Sequence, residues 1–169
     1  MMKAHYCMMA GYNTWANQRL YDVAATLSDA DYRRDCGAFF KSLHGTLNHL
    51  LVTDGIWLRR FQNITSAVPD QLDAILFDDL ATLRAARIDH DRQLQDYVHA
   101  LDEQQLTTTI RYRRASTPDI QEQNLSSALA HLFNHQTHHR GQAHTILSLL
   151  QVAPPALDLL FFQRQMAPK

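Results

Sequence analysis

The stretch that decides the fold is Asn134-His135-Gln136-Thr137-His138-His139-Arg140-Gly141-Gln142, which sits inside a longer segment running from Ser126 to Gln151. That segment reads as one long helix. Val152-Ala153-Pro154-Pro155 stops it, because proline cannot continue the i to i−4 hydrogen-bond ladder. On a helix His131, His135 and His139, spaced by four, stack along one face. Two imidazoles at i and i+4 converge on one metal ion, held nearly in place before the ion arrives, and zinc, nickel and similar ions accept neutral imidazole as ligand. A third ligand must come from another element.

Working outward, three more helical segments are expected. The first covers about Ala4 to Leu27, carries Trp15, Leu20 and Tyr21, and runs into Ser28-Asp29-Ala30-Asp31, which has the character of a helix end followed by a new cap. The second covers Ser42 to Phe61, with Leu43, Leu47, Leu50, Leu51, Trp57, Leu58 and Phe61 recurring at three and four and Ser42 as N-cap. Asn63 to Phe77 contains Pro69 and turn formers. Asp78 then caps the third, which includes Leu80, Leu83, Ile88, Leu94, Val98 and Leu101 and ends near Asp102. The β-branched run Thr107-Thr108-Thr109-Ile110 suits a short ribbon, with Ser116-Thr117-Pro118-Asp119 as its turn. Leu157-Asp158-Leu159-Leu160-Phe161-Phe162 is too apolar for water and is expected on the bundle or at a subunit interface. The fold class is therefore all-α, a four-helix bundle, in one domain over residues 1–169.

Composition narrows the function. The chain has 169 residues, 46% apolar, with 16 Lys+Arg against 17 Asp+Glu, so it offers no basic footprint for a nucleic acid or an anionic membrane. Its longest apolar runs fall far short of the roughly 18 residues of a membrane span, and no signal-peptide pattern opens it, so a cytoplasmic location is expected. Cys7 and Cys36 read as reduced thiols.

His49 is the strongest third ligand, since it lies within the apolar periodicity of the second segment. A buried histidine of this kind is by itself more often a hydrogen-bonded core residue, and a polar face remains a fair alternative for His135 and His139. His131 reads as an extension of the stripe, a hydrogen-bonding neighbour or a fourth ligand, and His138 as solvent-facing. His44 packs or caps locally, while His5, His90 and His99 are assigned to the surface. Gln136 stands where H-E-x-x-H peptidases carry their catalytic glutamate. Carboxylate-bridged di-iron bundles need several glutamates in the helices, and Glu103 and Glu122 both fall near the expected ribbon. One metal ion is the reading that remains.

Tyr12-Asn13-Thr14-Trp15-Ala16-Asn17, Leu43 to Leu51 with Asp54 and Trp57, and the Asn134 to Gln142 motif closely resemble the DinB family. The resemblance spans nearly the whole chain. It implies a DinB/YfiT-like four-helix bundle with a long crossover connection, assembled as a homodimer, and a divalent metal, zinc or nickel, held by His49, His135 and His139. It also implies a thiol-dependent S-transferase using a low-molecular-weight thiol. A metal-dependent hydrolase, with Asp54 as candidate base, and a non-enzymatic metal-binding stress-response dimer are the alternatives. Arg140 is expected to orient a substrate carboxylate or to pair with an aspartate of a neighbouring helix.

Overall fold

The computed structural model describes residues 1–64, 71–113 and 119–167. Its helices are α1 (Met2–Ala24), α2 (Asp29–Arg33), α3 (Leu43–Phe61), α4 (Leu80–Ala100), α5 (Leu125–Leu149) and α6 (Leu159–Met166). Strands β1 (Thr109–Arg113) and β2 (Ile120–Asn124) pair antiparallel, Thr109 facing Asn124 and Arg113 facing Ile120, and form the expected ribbon. The expected turn residues Ser116, Thr117 and Pro118, and Pro69 in the connection before α4, lie outside the described residues.

Capping side chains set the helix boundaries. Ser28 accepts from Asp31 N and starts α2, Ser42 accepts from Gly45 N and starts α3, and Asn124 accepts from Ser126 N and Ser127 N at the head of α5. The α4 cap is Asp79 and not the expected Asp78. Asp79 is placed to accept from Thr82 N, whereas Asp78 is drawn into an ion pair with Arg33 at 2.9 Å.

The long helices form a bundle in which α1 and α3 each pack against both α4 and α5. Asp22 meets Arg84 and Thr14 meets Gln95, so α1 and α4 are antiparallel. Asp54 meets Arg87 and Phe61 meets Tyr97, so α3 and α4 run the same way. The connection between two parallel neighbours must travel back along the bundle, and this is the long crossover. Residues 71–79 of it are tied to α3 by Asn48: Leu76 N and Phe77 N both donate to Asn48 Oδ1, and Asn48 Nδ2 donates to Phe77 O. His44 packs here too, its Nε2 3.2 Å from Phe77 O.

Two apolar layers fill the bundle. One contains Tyr6, Trp57, Phe61, Leu94, Leu129 and Phe133, the other Leu20, Leu43, Leu47, Leu83, Ile146 and Leu147. Each such side chain contributes about 1.5–3 kcal/mol by leaving water. Between the layers lies a buried polar stratum of Asn13, Asn17, Asp54, Arg87, Asp91, Gln136 and Arg140. Arg87 Nη1 donates to Asp54 Oδ2 at 2.7 Å and its Nη2 lies 2.9 Å from Asp91 Oδ1. Asn17 Nδ2 donates to both Asp91 oxygens at 3.1 Å. Arg140 donates to the Asn13, Asn17 and Gln136 side-chain oxygens. The expected pairing of Arg140 with an aspartate is not found: its guanidinium donates to these amides and stands over the Tyr12 ring.

His90, assigned to the surface from sequence, is buried on α4. Burial, reinforced by the positive charges of Arg87 and Arg59, pushes its pKa down to about 3 and keeps it neutral. The C-terminal apolar stretch forms α6, whose Phe162 is buried against Tyr12 and Ala16 of α1. No helix among the described residues is long and apolar enough to cross a membrane.

Candidate metal centre

His49 stands on α3, and His135 and His139 stand one turn apart on α5. Because α3 and α5 pack side by side, the three rings meet: one ring nitrogen from each lies within 4.8 Å of the other two. Ring centroids are 4.3 Å apart for His135 and His139, 4.5 Å for His49 and His139, and 5.3 Å for His49 and His135. The i, i+4 spacing gives the first closeness and helix packing gives the others.

The outer nitrogens are fixed by specific acceptors. His49 Nδ1 lies 2.7 Å from Leu72 O, and His139 Nδ1 lies 2.8 Å from Gln142 Oε1. A carbonyl oxygen only accepts, so each Nδ1 carries the proton and each Nε2 presents a lone pair. Those two Nε2 atoms face each other at 3.3 Å. Two lone pairs held that close repel unless a positive centre lies between them. The separation also matches the edge of a tetrahedron with metal–nitrogen bonds of about 2.0–2.1 Å, which is about 3.3–3.4 Å. His135 adds a buried ring nitrogen, Nδ1, with no hydrogen-bond partner. The donor set suits a borderline cation such as zinc or nickel.

Burial also keeps the imidazoles neutral, as ligation requires. It pushes His49 down to about 4, aided by the charge His139 would carry, and His135 down to about 3, aided by its histidine neighbours. His139 is lowered too, chiefly by burial, with the Gln142 bond opposing. Protons therefore do not occupy the lone pairs near neutral pH.

The remaining candidates are placed elsewhere. His131 is exposed, its ring 6.0 Å from His135 and 5.0 Å from Trp57, and it is outside the three-nitrogen cluster. His138 is exposed and bonds Gln142 Nε2 at 3.1 Å. Asp54 is fully buried in its ion pair with Arg87, where burial raises its pKa against the pull of Arg87. Cys7 and Cys36 are both free thiols.

Sequence reasoning missed Phe40. The turn Ala38-Phe39-Phe40-Lys41, closed by Lys41 N donating to Ala38 O at 2.7 Å with Lys41 at φ +65°, lays the Phe40 ring on His49. The centroids are 3.7 Å apart, with His139 at 5.5 Å. Gly45 admits this turn, since a Cβ there would stand 2.2 Å from Phe40 O. Gly45→Ala is therefore expected to dislodge the turn from α3, lower stability by about 1–3 kcal/mol in urea denaturation and weaken metal retention. Unchanged stability and metal content would show that the turn does not depend on this contact. The adjoining Phe39-Phe40 pair in the sequence was the available signal.

Comparison with known proteins agrees with the fold and the motifs. The chain is 25% identical over 145 residues to Protein DinB of Bacillus subtilis (strain 168), covering 80% of each. Its fold is similar to that of a DinB-like protein of Bacillus cereus known from a crystal structure, with a TM-score of 0.63 at 17% identity, over 85% of this chain and 91% of that one. The DinB family model matches residues 1–169, and the chain therefore belongs to the DinB family.

Proposed function

We propose that this protein is a metal-dependent enzyme in which His49, His135 and His139 hold one divalent ion, zinc or nickel, and that it acts as a thiol-dependent S-transferase on small molecules. The observation that carries the reading is the pair of Nε2 lone pairs facing each other at 3.3 Å, beside the half-buried imidazole of His135, whose Nδ1 is buried without a hydrogen-bond partner. The cluster contains three histidines and no fourth ligand among the described residues, so at least one coordination position is left for an exogenous molecule. A divalent ion there supplies the positive charge that lowers the pKa of a thiol or a water at that position.

The chain's own residues favour the thiol over the water. A hydrolase requires a general base beside the nucleophilic water. Asp54, the sequence candidate for that role, is sequestered by Arg87 in the bundle interior. A thiol needs no such base, because its proton is lost to solvent once its pKa is lowered. The homodimer and the cytoplasmic location belong to the same proposal, since such thiols are cytoplasmic solutes.

The test is a conjugation screen of metal-loaded protein with low-molecular-weight thiols and small electrophiles, read by mass spectrometry of the products. Thioether formation that disappears in His135→Ala supports the transferase. Absence of turnover with every thiol at full metal occupancy overturns it.

A further inference from the structure

Arg60, at the far end of α3, is held in an unusual way. Its guanidinium lies 4.6 Å from the Trp57 ring centroid and 4.3 Å from that of Tyr112. The Trp57 and Tyr112 rings themselves meet edge to face at 5.3 Å. One nitrogen, Nη2, donates to Arg113 O at 3.3 Å. Among the described residues no carboxylate pairs with it, although most other half-buried or buried arginines here, such as Arg33 and Arg87, have one. With their centroids 5.3 Å apart the two rings flank the guanidinium on adjacent sides, and its N–H groups other than the one bonded to Arg113 O remain for the bidentate contact that arginine makes with a carboxylate.

The location connects this group to the metal centre. Arg60 is eleven residues after His49, which is three helical turns and about 20° of rotation, so both occupy one face of α3. On α5, His131 continues the His139, His135 stripe toward it, with its ring 6.0 Å from His135 and 5.0 Å from Trp57. The guanidinium folds back over Trp57, eight residues from His49, a rise of about 12 Å along the helix. The side on which α3 meets α5 thus has three neutral imidazoles at one end and, at the other, a charge with no carboxylate partner among the described residues.

We propose that Arg60 is a specificity-determining residue that binds a carboxylate of the molecule whose thiol takes the open position, the two groups lying on the order of 10 Å apart. This rests on the thiol reading of the centre. It names the substrate class more narrowly: an extended, carboxylate-bearing thiol of peptide size, and not a short one such as cysteine.

The experiment uses full-length protein loaded with cobalt(II) and follows the ultraviolet cobalt–thiolate band as thiols are titrated. The probes are glutathione and its diethyl ester, with cysteine and cysteine methyl ester as a short pair that cannot reach Arg60. Wild type is expected to bind glutathione at least tenfold more tightly than the diester, Arg60→Met to lose that preference, and Arg60→Lys to keep part of it, while the short pair responds equally in all three. Unaltered cobalt ligand-field bands show that each variant is folded, and Arg60→Gln replaces Arg60→Met should the latter not fold. A glutathione preference that persists in Arg60→Met, or is absent in wild type, overturns the assignment while leaving thiol binding intact. No thiolate band with any of the four probes overturns the thiol reading and this assignment together.

Discussion

Replacing His135 with alanine is expected to reduce bound divalent metal from about one ion per chain to background, measured by elemental mass spectrometry on untagged protein. His49→Ala and His139→Ala are expected to do the same, since two imidazoles without the third leave a weak, mobile site. His138→Ala is the control, because His138 is exposed and contributes no nitrogen to the cluster, although its ring stands edge-on to His139 at 4.8 Å. Metal that binds only the folded chain stabilises it by about 2.7 kcal/mol at a hundredfold excess over Kd. For a chain of this size that corresponds to a Tm lowered by about 5–10 °C on chelation. Chelator should leave the Tm of His135→Ala unchanged. A wild type that stays metal-free after reconstitution, with a Tm indifferent to chelator, would reduce the three histidines to packing.

The second large effect is expected at Arg87. Its guanidinium is enclosed between Asp54 at 2.7 Å and Asp91 at 2.9 Å, all three side chains being almost wholly buried. Arg87→Met fits the space but strands two carboxylates in a medium that solvates them poorly, a loss of about 3–5 kcal/mol in urea denaturation at neutral pH. Adding Asp54→Asn to that variant should recover part of the loss, since it removes one of the stranded charges. The asparagine change alone is expected to cost less than the arginine change, because Arg87 keeps Asp91. A loss below about 1 kcal/mol for Arg87→Met would mean that the stratum is wetter than the packing implies.

The same stratum shows how local signals fall short. Asn13, Asn17, Asp54, Asp91, Gln136 and Arg140 are scattered polar residues in the linear chain, and most such residues face solvent. Here they are enclosed because each satisfies another across the bundle. Two apolar layers accept a polar one between them when Arg87 is paired with Asp54 and Asp91 and side-chain amides solvate the remaining charge, Arg140. His90 was misplaced for a related reason, since one histidine on a largely charged helix gives no sign of which side meets the core. Asp79 displaced Asp78 as cap because a long-range ion pair with Arg33, invisible in local spacing, holds Asp78.

By itself the sequence determined the elements: four long helices with the Ser42 cap of one of them, the ribbon, the proline stop, and a histidine stripe at i and i+4 whose alignment follows from helical geometry alone. Apolar periodicity put His49 forward as the third ligand, and the motifs of the DinB family pointed to the same residue. Tertiary structure decided everything that depends on one helix meeting another. The approach of α3 to α5 brings His49 to His135 and His139, the crossover delivers Leu72 O to orient His49, and the turn seated on Gly45 sets Phe40 against its ring. Periodicity fixes which side of a helix a residue occupies, but only the packed bundle fixes what stands opposite, and the chemistry of this centre resides in those opposed pairs.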